Sequence, residues 1–166
     1  MVFEKIFIAS DHGGFNLKRC LTEKSGLEMT DLGTRSADPC DYPVFVRKLA
    51  DAAAKTKNSC GVLICRTGVG MTIAANRYAH IRAALCYNEK IVELSRRHND
   101  ANVAVFGGDS ITPETALNYL EIFLNTEFEG GRHAGRLKMI NDIVFSDPDS
   151  ETENARNDLV FGVSRR

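Results

Sequence analysis

Gly61-Val62-Leu63-Ile64-Cys65-Arg66-Thr67-Gly68-Val69-Gly70-Met71-Thr72-Ile73-Ala74-Ala75-Asn76 is an apolar run that ends in a cysteine, crosses two closely spaced glycines and restarts with helical composition. The pattern predicts a strand, a tight loop and a helix. In that arrangement the loop N–H groups and the positive end of the helix dipole face one space, which suits an anion or a developing oxyanion. Two nucleotide-binding readings fail on spacing. After Gly68-Val69-Gly70 the third glycine of a dinucleotide fingerprint would fall at Ile73, and no lysine follows as a P-loop requires.

The same unit recurs on both sides. Ile6 to Ala9 is a short buried-strand pattern, broken by Ser10-Asp11-His12-Gly13-Gly14 before Phe15 to Lys24 resumes as a helix. Leu27 to Leu32 predicts a second strand, and Asp41-Tyr42-Pro43 a helix start, with the helix over 44–55. Ile81 to Leu85 and Val103 to Phe106 predict the fourth and fifth strands, with a helix from Asn88 to Arg97 between them. Thr112-Pro113-Glu114 opens another helix, and a last one is expected from Arg132 to Ile143. Strands alternating with helices predict an α/β fold, a doubly wound five-stranded parallel sheet in three αβα layers. Ligands in such folds lie beyond the carboxyl ends of the strands, where Asp11, His12, Cys65 to Gly70 and Gly107 to Ser110 are expected to converge.

Composition narrows the class further. The chain has 166 residues, 43% hydrophobic and 26% charged, as expected of one domain with a full core. A net charge of −1 gives no electrostatic reason to expect nucleic acid or an acidic membrane surface as partner. Five cysteines without a Cys-x-x-Cys pair fit reduced thiols better than zinc or disulfides, and no signal or spanning segment is evident, so a cytoplasmic location is expected. The polar, acidic stretch from Ser146 to Asn157 has no periodicity. It predicts a mobile tail over 146–166, in which Leu159-Val160-Phe161 could dock, after a domain over 1–145.

Each chemical candidate has a plain structural reading as well. Cysteines at strand ends are commonly small buried hydrophobes, but Cys65 stands at a glycine loop and a helix N-terminus, where a thiolate is favoured. Asp11 and His12 could be a capping pair. His98-Asn99-Asp100 could be a helix end with the asparagine in a left-handed turn. Arg132 and Arg136, four apart, share a helix face that by default is solvated. His12, His98 and His133 lack the spacing of a helical metal site, and no metal is expected.

Taken together, Ser10-Asp11-His12-Gly13-Gly14-Phe15, Asp41-Tyr42-Pro43, Cys65-x-Thr67-Gly68-Val69-Gly70, Ala74-Ala75-Asn76, Ile81-Arg82-Ala83-Ala84-Leu85, His98-Asn99-Asp100-Ala101-Asn102-Val103 and Phe128-Glu129-Gly130-Gly131-Arg132-His133 resemble the ribose-5-phosphate isomerase B family of sugar-phosphate isomerases. That family includes galactose-6-phosphate isomerase subunits. The resemblance runs in order over residues 5–143. It implies a Rossmann-like domain, a homodimer or dimer of dimers, a sugar-phosphate substrate, and a site shared between two chains without metal or organic cofactor. By the same resemblance Cys65 is the base at C2, His98 helps to open the sugar ring, and Thr67 lies beside the base. Asp41 and Tyr42 line the pocket, and the N–H groups of Arg66, Thr67, Gly68, Val69 and Gly70, with the Asn99 amide, hold the enediolate oxygen. His12, Arg132 and Arg136 match phosphate contacts, and Asp11 a sugar-hydroxyl contact. His98 and Asn99 are expected to come from the partner chain.

Three positions depart from the family pattern. Arg66 replaces a usual glycine, Asp109 stands near a usual arginine, and Met71 replaces the glutamate that one branch uses as base, which leaves Cys65. The expected reaction interconverts ribose 5-phosphate and ribulose 5-phosphate in pentose phosphate metabolism. A six-carbon 6-phosphate (allose or galactose) and a non-catalytic sugar-phosphate-binding regulator are the alternatives.

Overall fold

A computed structural model describes residues 1–143 of the chain. The elements are β1 (Lys5–Ser10), a single 3₁₀ turn (His12–Gly14), α1 (Phe15–Lys24), β2 (Met29–Asp31), α2 (Tyr42–Ala54), β3 (Ser59–Cys65), α3 (Val69–Ala75), β4 (Ala83–Leu85), α4 (Glu89–Asn99), β5 (Val103–Gly107), α5 (Pro113–Asn125) and α6 (Arg132–Asn141). All strand pairs are parallel, in the order β2-β1-β3-β5-β4. The fold is the expected Rossmann-like α/β sandwich. The segment over 146–166, with its expected mobility and the docking of Leu159-Val160-Phe161, lies outside the described residues.

Strand periodicity builds two cores. Ile6, Ile8, Val62, Ile64 and Phe106 face one side, against Leu17, Leu21, Leu120 and Phe123. Phe7, Ala9, Leu63, Cys65 and Val105 face the other, against Phe45, Val46, Leu49 and Met71. Both sheet faces are therefore covered, as all-parallel sheets require. The chain leaves β1 for β2 on one side and then crosses to β3 on the other, so the crevice of a doubly wound fold opens between β1 and β3.

The edge strands are shorter than their apolar runs predict: β2 covers 29–31 rather than 27–32, and β4 covers 83–85 rather than 81–85. Each has a neighbour on one side only. On β4, the Asn76 carboxamide takes the place of a missing strand, accepting from the Ala83 N–H at 2.9 Å and donating to the Ala83 carbonyl at 2.9 Å. Helix α2 begins two residues early, at Tyr42, with Asp41 as N-cap and Pro43 in the first turn. The left-handed residue after α4 is Asp100 (φ 44°), not Asn99, which ends the helix.

Arg96 fixes that helix end. It is almost fully buried, stacked over the rings of Phe3 (4.7 Å) and Phe123 (5.5 Å), and donates to Asp100 (2.9 Å) and to the Thr126 carbonyl (3.2 Å). A buried guanidinium is tolerated only when so partnered. Its neighbours Arg97, His98 and Asn99 are thereby held in place.

Candidate active site

Cys65 closes β3 at the crevice. The chain then turns through Gly68, whose φ of +78° is left-handed and whose added Cβ would stand 2.5 Å from Leu85 Cδ1, so only glycine fits. This turn brings the Gly68 N–H onto the Cys65 Sγ at 3.2 Å, with α3 starting immediately behind. An N–H donor and a helix start are the surroundings in which a cysteine serves as base or nucleophile. The Val69 N–H points to Thr67 Oγ1 at 3.4 Å. Two of the five loop N–H groups expected to hold an oxyanion thus have partners within the loop.

The expected neighbours gather around this loop. The Tyr42 ring lies against Gly70, within 3.1 Å of where a Cβ would stand. Asp41 occupies the N-cap position without making the capping bond. His12 Nδ1 lies 3.1 Å from the Cys40 N–H and 3.2 Å from the Cys40 carbonyl, so backbone on one side orients the ring and Nε2 remains to meet a ligand. Asp11 does act as a cap: its Oδ1 accepts from the Gly14 N–H at 3.1 Å. The plain reading of that residue is therefore real, with one carboxylate oxygen left over.

Arg66 and Asp109, both expected to depart from the family pattern, find each other. The Arg66 stem crosses Gly13, where an added Cβ would come within 2.5 Å of Arg66 Cγ, and its Nη1 reaches Asp109 Oδ2 at 3.2 Å. The Asp109 N–H also bonds the Arg66 carbonyl at 3.0 Å. The side chain is thus drawn out over the loop after β5, and its charge is answered by Asp109.

His98, Asn99, Arg132 and Arg136 do not join this group within one chain. They lie where α4 ends and α6 begins, beside the start of β5, whereas Cys65 pairs with Gly107 at the end of β5. Seven residues of β3 separate the two sheet edges, roughly 20 Å. His12 and the two arginines, expected to share a phosphate, stand at opposite edges. At the second edge the His98 and His133 rings stack at 4.1 Å, and Glu129 Oε2 lies 3.6 Å from His98 Nε2 and 3.7 Å from His133 Nε2. Glu129 Oε1 accepts from Arg97 Nε at 2.6 Å. Burial, followed by the charges of His98, Arg132 and Arg136, lowers the His133 pKa against the opposing pull of Glu129. The hydrogen bond from Arg97 in turn holds the Glu129 carboxyl below its ordinary value.

Among the described residues, His98, Glu129 and His133 are the group whose ligand atoms, all within 4.8 Å, could hold a metal ion. Two features disfavour one. Parallel stacked rings cannot both aim their nitrogens at one ion, and the Arg132 Nε–H points at His133 Nε2 at 3.4 Å. With Arg97, Arg132 and Arg136 close by, the edge is built for an anion. Glu129 and Arg97 were not singled out in the sequence, and His133 was weighed only as a metal ligand; the available signal was the stretch Phe128 to His133, of which Arg132 was read as a phosphate contact. A groove of about 430 Å³ also opens at this edge, lined by Asn99, Ile81, Leu137, Ile140 and Ile143, away from Cys65.

The model of the ribose/galactose isomerase family matches residues 6–140. The chain belongs to that family. Ribose-5-phosphate isomerase B of Escherichia coli is 41% identical over 143 residues, covering 84% of this chain and 96% of that one. A solved ribose 5-phosphate isomerase from Thermotoga maritima superposes with a TM-score of 0.81 at 42% identity, over 84% of this chain and 98% of its own. Ribose-5-phosphate isomerase B of Mycoplasma genitalium, solved with bound ribulose-5-phosphate, gives 0.77 at 37% identity, over 82% and 93%. All five cysteines of this ribose/galactose isomerase family member are free thiols, and no described helix is long and apolar enough to cross a membrane.

Proposed function

We propose that this chain interconverts ribose 5-phosphate and ribulose 5-phosphate, with Cys65 as the base. The observation that carries the reading is the Cys65 sulfur held by the Gly68 N–H at the foot of α3, in a member of an isomerase family. The chemistry needs a base that takes the proton from C2 of the open-chain aldose and returns it to C1, while a proton passes between O1 and O2. The thiolate does the first. N–H groups of the loop and of the first turn of α3 stabilise the enediolate between the two transfers, a contribution of about 3 kcal/mol per donor. Thr67 keeps the sulfur aimed, Asp11, Asp41 and Tyr42 hold sugar hydroxyls, and His98 moves the proton that opens the ring.

The phosphate is taken by His12 together with Arg132 and Arg136. Because those groups stand at opposite sheet edges, the site is completed by two chains: one gives the Cys65 loop, the other the α4–α6 end with His98 and Asn99. The exposed apolar side chains Val44, Val69 and Ile73 on α2 and α3, and Met139 and Ile140 on α6, give such a pair material to bury.

A coupled assay on ribose 5-phosphate, allose 6-phosphate and galactose 6-phosphate tests the reading. Turnover of the pentose is expected, with less than about one hundredth remaining in Cys65→Ala and substrate binding preserved. No turnover of any of the three, or an active Cys65→Ala chain, overturns it.

A further inference from the structure

We propose that Glu129 is a positioning residue, one that orients the His98 imidazole at the second edge; the inference rests on the isomerase reading above. Glu129 precedes α6, yet its carboxylate serves both helices. Oε1 is bonded to Arg97 of α4, while Oε2 lies nearly equidistant from the His98 and His133 nitrogens, 3.6 and 3.7 Å away. Its own N–H donates to the Arg97 carbonyl at 3.0 Å. Arg97 is held on its other side by Glu93 at 2.6 Å, so the carboxylate has one firm anchor and turns its other oxygen toward His98, while His133 Nε2 faces the Arg132 Nε–H. The charged groups facing the Glu129 carboxylate are Arg97, His98 and His133, with Arg132 and Arg136 acting on His133 and Glu93 beyond Arg97.

A carboxylate in this place has two opposed effects. It orients the imidazole that must move a proton, as a third group does for a general base. It also puts a negative charge among the groups that are to hold a phosphate, and so weakens the phosphate. A merely structural tie between α4 and α6 has no such split, because loosening it would harm proton transfer and phosphate binding together.

Glu129→Gln keeps the size and the acceptor for Arg97 and removes the charge. In steady-state kinetics on ribose 5-phosphate, its kcat should fall at least about tenfold, while KM and the Ki of inorganic phosphate hold or decrease. Glu129→Asp keeps the charge but draws it back by one methylene, and should recover part of kcat. An unchanged kcat in Glu129→Gln overturns the proposal, as does a fall in kcat with a rise in both KM and Ki. Should Glu129→Gln fail to fold, Glu129→Asp decides by the same split: kcat lowered with Ki held supports, and both impaired overturns. A wild-type chain that does not turn over ribose 5-phosphate overturns the isomerase reading itself, and this inference with it.

Discussion

Burial pushes the Cys60 and Cys86 thiols from an ordinary value of 9.0 up to about 12. The unfolded chain therefore loses these protons near pH 9 while the folded chain keeps them, so the unfolded state binds fewer protons and stability falls as pH rises from about 9 towards 12. At pH 10 the two thiols together should cost on the order of 1–3 kcal/mol. Urea unfolding at pH 8 and pH 10 checks this: the double variant Cys60→Ala, Cys86→Ala should lose distinctly less stability over the interval than wild type, and an equal loss would mean other groups carry it. The candidate residues differ in how plainly the sequence displays them. Cys65 was readable as a candidate base because a glycine loop and a helix start are local features, whereas Thr67 entered only through the family resemblance. Glu129 was not readable, since its meaning depends on Arg97 and His98, some thirty residues away, folding back onto it. The Arg66–Asp109 pair was hidden for the same reason: two departures 43 positions apart become one ion pair only through the pairing of β3 with β5.

The central element of the fold is the turn from β3 into α3, and Gly68 is its pivot. Alanine there would pay for a left-handed backbone and crowd Leu85 and the Phe106 carbonyl carbon, at 2.5 and 3.2 Å. A loss of about 1–3 kcal/mol is expected. Because the same backbone delivers the N–H to the Cys65 sulfur, Gly68→Ala should also lose turnover beyond what its lowered stability explains. Urea unfolding, combined with kcat measured well below the transition, separates the two; wild-type kcat in a destabilised protein would dissociate the turn from the chemistry. Most elements were readable from periodicity and from Pro and Gly punctuation. The edge strands were overextended, because an apolar run does not disclose where its neighbour stops. The asparagines Asn76 and Asn102, whose surrounding stretches carried the family resemblance, proved to clasp β4: Asn102 accepts from the Arg82 N–H at 2.8 Å and donates to the His80 carbonyl at 2.8 Å.

Over the whole molecule, alternation of strands and helices gave away the layers but not the order β2-β1-β3-β5-β4, which depends on long-range pairing and decides that the crevice opens beside Cys65. Because the strands are parallel and α4 runs back to the start of β5, His98 is left at the far edge. If two chains complete each site, mixing Cys65→Ala chains with His98→Ala chains should restore about a quarter of the sites by random redistribution, and about half if only mixed pairs form. Activity in the mixture, measured after subunit exchange has been verified by mass, checks this; none at all would place both residues in one chain's site. The length of β3 between the thiol and the imidazole also bears on descent. If each site is shared between two chains, then after duplication of such a gene one copy could lose its cysteine edge and the other its histidine edge without the cell losing the reaction. Neither copy could then be spared, and what began as two equivalent genes would be bound together by the geometry of a single sheet.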